Sequence, residues 1–161
     1  MIVTVPMRTL VLQTLTDTLA LGRFLGQSAQ PGDIICLDGD LGAGKTTMTQ
    51  AIAVGLEVPP QEYVTSPSFA IFHEYQGRLP LYHMDFYRLT DAAEVADLGL
   101  DEYFSLTGLT VLEWCERAEE LVPPTRLRLT LTIGVDESRV VICDLGAGTW
   151  RARWEGLQDV G

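Results

Sequence analysis

Lysine is almost missing from this chain. Lys45 is the one lysine among 161 residues, and the other ten basic positions are arginine. A GTPase reads guanine with an Asn-Lys-x-Asp segment, and no second lysine exists to build one. Positive charge is scarce as well: 22 acidic side chains against 11 basic ones give a formal net charge of −11. A protein that grips nucleic acid unaided presents a basic face to the phosphates, so this balance argues against strong direct binding of that kind. It favours a small-molecule site with a protein partner. Cys36, Cys115 and Cys143 form no C-x-x-C pair, and histidine is limited to His73 and His83, which leaves no zinc-binding set. The cysteines read as buried small hydrophobes of a reducing compartment. No apolar run approaches the roughly 20 residues of a membrane span, so no membrane association is expected. Met1 to Leu12 lacks the charged start, long apolar centre and cleavage signal of a secretory peptide, and a cytoplasmic location is expected.

What is present centres on the single lysine. Gly39-Asp40-Leu41-Gly42-Ala43-Gly44-Lys45-Thr46-Thr47 fits the P-loop pattern G-x-x-x-x-G-K-[ST] without a mismatch. The glycines let the backbone turn its N–H groups around phosphate oxygens. Lys45 supplies a charge for the β- and γ-phosphates, and the Thr46 hydroxyl suits the shell of a Mg²⁺ ion. The flanks agree. Asp33 to Asp38 reads as a short buried strand, and Thr47 to Leu56 reads as a helix whose N-terminus favours an anion. With guanine recognition excluded, ATP is the expected nucleotide. Hydrophobic residues at 47% and charged residues at 20% are ordinary values for a globular protein, so one P-loop domain over residues 1–161 is expected.

Along the chain, Met7 to Gln13 reads as an edge strand. Thr16 to Ala29 reads as a helix capped by Thr16, with Leu15, Leu19, Leu21, Leu25 and Ala29 near one face. Ala70 to Tyr75 and Leu79 to Asp85 read as an antiparallel hairpin about Gly77. Short helices are expected from Thr90 or Asp91, within Leu98 to Leu106, and over Glu116 to Leu121. Leu109 to Glu113 reads as a central strand. Arg126 to Ile133 and Arg139 to Cys143 continue as strands, and Trp150 to Trp154 alternates as a last strand would. The fold class expected is α/β, P-loop-like, with a largely parallel central sheet and antiparallel strands added at its C-terminal end. Asp40 to Gly44 recurs verbatim as Asp144 to Gly148, but Thr149 follows the second copy, which reads as a turn.

Two apolar strands end in a carboxylate, Asp85 and Glu113, and the pattern alone leaves open which meets the metal. Arg88 is suited either to offset charge on the phosphates or to pair with Asp85. His83 reads as a packed strand residue without a catalytic role.

Taken together, Gly39 to Thr47, Ser66-Pro67-Ser68-Phe69, His83-Met84-Asp85-Phe86-Tyr87-Arg88-Leu89 and Glu113-Trp114 resemble the TsaE (YjeE) family over about Thr16 to Glu116. The P-loop alone is unspecific; the combination is not. The resemblance implies a small bacterial ATPase that acts with TsaB and TsaD in forming N6-threonylcarbamoyladenosine on tRNA. It implies Thr46 and Glu113 as Mg²⁺ ligands, Asp85 as a residue supporting hydrolysis, and Ser66 to Phe69 as a switch-like loop. It also implies that Asp17 and Thr18 lie near the adenosine and Trp114 near the site. Ser68 stands where the family usually has threonine, and Cys115 where proline is common; neither removes a required chemical group. A small-molecule kinase would add an arginine-rich lid, and no arginine cluster stands between Gly77 and Leu121. A nucleotide-gated binding module is the non-enzymatic alternative.

Overall fold

A computed structural model describes residues 6–157, so the first five residues of the Met1 to Leu12 stretch lie outside the described residues. Seven strands form one mixed sheet. In chain order they are β1 (Met7–Leu12), β2 (Ile34–Asp38), β3 (Phe72–Gln76), β4 (Pro80–Asp85), β5 (Leu109–Glu113), β6 (Leu127–Ile133) and β7 (Arg139–Asp144). Their spatial order is β1-β7-β6-β2-β5-β4-β3. The four inner strands, β6-β2-β5-β4, pair in parallel. Antiparallel pairs close both sides, β6-β7-β1 at one and β4-β3 at the other. β2 and β5 carry apolar side chains on both faces because both faces are covered.

The helices are α1 (Leu15–Ser28), α2 (Lys45–Gly55), α3 (Ala92–Asp97) and α4 (Trp150–Trp154), with longer 3₁₀ turns over Leu100–Ser105 and Cys115–Leu121. One apolar cluster joins Leu21 and Leu25 of α1 and Met48 and Ile52 of α2 to Ile35, Leu37, Val111 and Leu129 of the sheet. A second joins Val95, Leu100, Phe104 and Ala118 to Cys36, Met84 and Leu112. α1 and α2 meet almost backbone to backbone. A Cβ at Gly26 would lie 2.1 Å from the Ile52 carbonyl oxygen, and one at Gly22 would lie 2.3 Å from the Ala51 Cβ. All three cysteines are free and buried, and burial pushes the Cys143 thiol up to about 12.

Three expectations need correction. The cap of α1 is Thr14, not Thr16. Thr14 Oγ1 accepts from the Asp17 N–H, and the Asp17 carboxylate accepts in return from the Thr14 and Gln13 N–H groups. A cap at Thr16 would have set Leu19 at the third helical position, with no oxygen to close the box. The buried face of α1 runs through Thr18, Leu21, Gly22, Leu25 and Gly26, whereas Leu15 is exposed. Trp150–Trp154 is a helix rather than a strand, burying both tryptophans on one side. A spacing of four satisfies period two and the helical period alike, so five residues could not separate them.

Candidate functional site

Parallel strands point their carboxyl ends the same way, and ligands of open α/β sheets collect there. Three chain segments leave that end together. β2 runs into the P-loop, β4 ends in Asp85, and β5 ends in Glu113. Asp85 and Glu113 are register partners on neighbouring strands. They share a face with Leu81 and Val111, which belong to the same cluster as α2, so both carboxylates look toward the N-terminus of that helix. Together with Lys45, Thr46, Thr47, Ser66, Ser68, Tyr87 and Trp114 they line a cavity of about 810 Å³.

The loop between β2 and α2 turns on three glycines at positive φ, Gly39, Gly42 and Gly44. Gly44 takes φ +107 and caps α2 without a side-chain hydrogen bond to its first turn. Ala43 is buried, while Asp40 and Leu41 face solvent and Leu41 is fully exposed. The Lys45 ammonium donates to the Gly39 carbonyl at 2.5 Å and lies 5.8 Å from the centre of the Trp114 ring. Trp114 holds a left-handed backbone at φ 58°, an arrangement costing about 1–2 kcal/mol in a non-glycine residue. Its ring packs on Tyr87 with centroids 5.0 Å apart.

The carboxylates sit in unlike surroundings. Asp85 is 5% exposed, and its Oδ1 accepts from the Tyr87 N–H at 2.9 Å. Burial raises its pKa above the ordinary aspartate value, the Tyr87 N–H works against that, and the Glu113 charge adds to the rise. Glu113, 4% exposed, is instead in hydrogen-bond contact with His83, Oε2 to Nε2 at 3.1 Å. Two buried carboxylates side by side, one with raised proton affinity, leave negative charge that a cation would offset. With the hydroxyls of Thr46, Ser66 and Ser68 on the same cavity, the donors are hard oxygens of the kind Mg²⁺ takes. The residues fit that ion.

A second cavity of about 520 Å³ shares Gly44, Thr47 and Arg139 with the first and is also lined by Leu12, Thr14, Leu15, Thr18 and Ile133. Thr18 therefore reaches it. Asp17 does not line it; its carboxylate is committed to the capping box that shapes the Gln13–Leu15 turn.

Over residues 12–141 the sequence matches the family described as "Threonylcarbamoyl adenosine biosynthesis protein TsaE". The chain belongs to the TsaE family. Its relatives include the tRNA threonylcarbamoyladenosine biosynthesis protein TsaE of Bacillus subtilis (strain 168), 45% identical over 78% of this chain and 77% of that one. The TsaE protein of Nostoc sp. is 42% identical over 76% of each chain. Among solved structures, the fold superposes on the crystal structure of Bacillus subtilis YdiB with a TM-score of 0.81, at 35% identity and covering 95% of both chains.

In this TsaE-family fold, two site residues escape a reading of the sequence. Arg139, first in β7, donates from Nε to the Ala43 carbonyl at 2.9 Å and lines both cavities. Nothing local marks it, since its P-loop partner lies 96 residues earlier. His83 does carry a signal, for the strand period sets it on the same face as Asp85. Arg88 does not pair with Asp85. Its Nε donates to the Ser68 carbonyl at 3.0 Å and its guanidinium lies 4.1 Å from the Phe69 ring centre, so it braces the Ser66–Phe69 loop. No helix among the described residues is long and apolar enough to cross a membrane.

Proposed function

We propose that this chain binds MgATP at the larger cavity and hydrolyses it in support of N6-threonylcarbamoyladenosine formation on tRNA, acting with a TsaB–TsaD assembly. The pathway follows from the family. The reaction rests on one observation: Lys45, Thr46, Asp85 and Glu113 line one cavity at the carboxyl ends of adjacent parallel strands.

Each residue has a role in this reading. The P-loop amides and Lys45 hold the β- and γ-phosphates. Thr46 and Glu113 hold the metal, which when bound supplies charge neutralisation on the transferring phosphoryl group. Asp85, with its raised proton affinity, orients the attacking water and takes up its proton. Trp114 covers Lys45 and limits solvent at the phosphates. Thr18, Ile133 and Arg139 flank the adenosine in the adjoining cavity. Asp17 acts one step back, by fixing the turn that carries Gln13 and Leu15.

A gating role accompanies hydrolysis. Ser66 and Ser68 line the cavity while Phe69, on the same loop, is 82% exposed. A loop with one side on the nucleotide and an aromatic in solvent suits a partner that senses the nucleotide. With a net charge of −11, the isolated chain should bind tRNA weakly at physiological salt. The test is phosphate release from MgATP by the chain alone, with no added acceptor, and then with TsaB and TsaD. Slow release that rises with the partners is expected. Tight, salt-sensitive tRNA binding by the chain alone contradicts the partner assignment, and transfer to a small acceptor without free phosphate contradicts the ATPase.

A further inference from the structure

His83 is fully buried in β4, and the one hydrogen bond of its side chain among the described residues is to the Glu113 carboxylate, Nε2 to Oε2 at 3.1 Å. Nδ1 is equally buried and has no partner. Such an atom is costly, because a buried polar group left unpaired loses its hydration without return. Its in-register partners are Val111 on β5 and His73 on β3, and Leu81 shares its face. An aliphatic side chain would fill that position without leaving a polar atom unpaired.

The contact is also directional. A carboxylate oxygen accepts and a ring N–H donates, so the pairing assigns the imidazole hydrogen to Nε2. One carboxylate oxygen is thereby held from below by a rigid ring on a central strand. The other is left for the cavity that Lys45, Thr46 and Asp85 also line.

We propose that His83 is a positioning residue of this site: it holds Glu113 by one oxygen so that the other is presented to a divalent cation. The inference rests on the MgATP reading of the cavity. Residues that orient a metal ligand commonly account for 10–100-fold in metal affinity, so an effect of that size is expected here.

Two substitutions separate orientation from packing. His83→Gln places an amide N–H near the position of Nε2, and His83→Leu fills the space with no donor. The probe is a fluorescent, non-hydrolysable ATP analogue, bound with and without Mg²⁺ to each full-length chain. His83→Leu should raise the Mg²⁺ concentration for half-maximal enhancement about 10–100-fold and leave metal-free binding unchanged. His83→Gln should restore values close to the parent chain.

A second readout needs no metal. Imidazole ¹⁵N spectra of the ligand-free protein contain only His73 and His83. They should show His83 as the Nε2–H tautomer, with a shift that changes in Glu113→Gln. This measurement decides the matter if His83→Leu fails to fold. Parent-like Mg²⁺ dependence in His83→Leu, or a His83 signal indifferent to Glu113→Gln, overturns the inference alone. No Mg²⁺ dependence in the parent chain overturns the MgATP reading and takes the inference with it.

Discussion

Asp-Leu-Gly-Ala-Gly occurs twice in this chain, each time between a strand and a helix with its middle glycine at positive φ, yet the two copies sit in unlike surroundings. In the first, Leu41 is wholly exposed, Asp40 faces solvent and Ala43 is buried. In the second, Leu145 is wholly buried and the Asp144 carboxylate accepts from Arg126 at 2.8 Å and from the Gly146 N–H at 3.0 Å. The first leaves a central parallel strand and enters a helix of eleven residues through Lys45. The second leaves an antiparallel strand and turns into the short α4. Five residues therefore do not make a phosphate site. In the function proposed here it is the strand before, the Lys-Thr after and the carboxylates opposite that do.

The largest effect should come from the carboxylates, which only the first copy faces. Asp85→Asn should lower single-turnover hydrolysis by about 10²–10⁴ and leave MgATP affinity nearly intact, the usual scale for a lost proton acceptor. Glu113→Gln should weaken Mg²⁺-dependent binding and hydrolysis together. The reversed pattern would mean that their roles are exchanged. Lys45→Ala comes next. At ligand about 100-fold above Kd, MgATP should stabilise the unmodified chain by about 2.7 kcal/mol, and Lys45→Ala should remove most of that. Thr149→Ala, the equivalent position in the second copy, should keep it; thermal melts with and without MgATP make the comparison.

Gly146→Ala should have the opposite character. A Cβ there would lie 2.1 Å from the Arg126 carbonyl oxygen, on a backbone at φ +68. A loss of about 1–3 kcal/mol in fold stability with unchanged nucleotide binding by the folded fraction is expected from denaturant titration.

The smallest effect concerns the ligand-free protein. Burial and the Glu113 charge raise the Asp85 pKa in the folded state. Such a group adds stability that is fully present below its unfolded pKa and is lost as pH rises through the folded value. Warming the ligand-free chain at several pH values should show this loss above the ordinary aspartate range, and Asp85→Asn should flatten it. At neutral pH that variant should melt higher, by roughly 2–4 °C for each kcal/mol of relief.

How far the sequence could be read follows the same division between local and distant causes. The P-loop, its strand and its helix are a contiguous pattern, and so is the β3–β4 hairpin; each was legible from spacing alone. Asp85 and Glu113 stood out because each ends an apolar run, yet only strand order makes them neighbours. The brace of Arg88 on Ser68 and the approach of Arg139 to Ala43 join residues 20 and 96 positions apart, and no periodicity encodes them. The helix at Trp150 was lost to a spacing that suits both periods. The cap of α1 was readable in principle, since Asp17 stands three residues after Thr14 and completes a box that Thr16 lacks.

The central claim is that nucleotide phosphates lie against Lys45, and the near-absence of lysine makes this directly measurable. Limited acylation followed by mass spectrometry reads one side-chain amine, with the α-amine as internal reference. Labelling of Lys45 is expected to fall sharply in MgATP while the α-amine is unchanged. Equal labelling of Lys45 with and without MgATP would contradict the site.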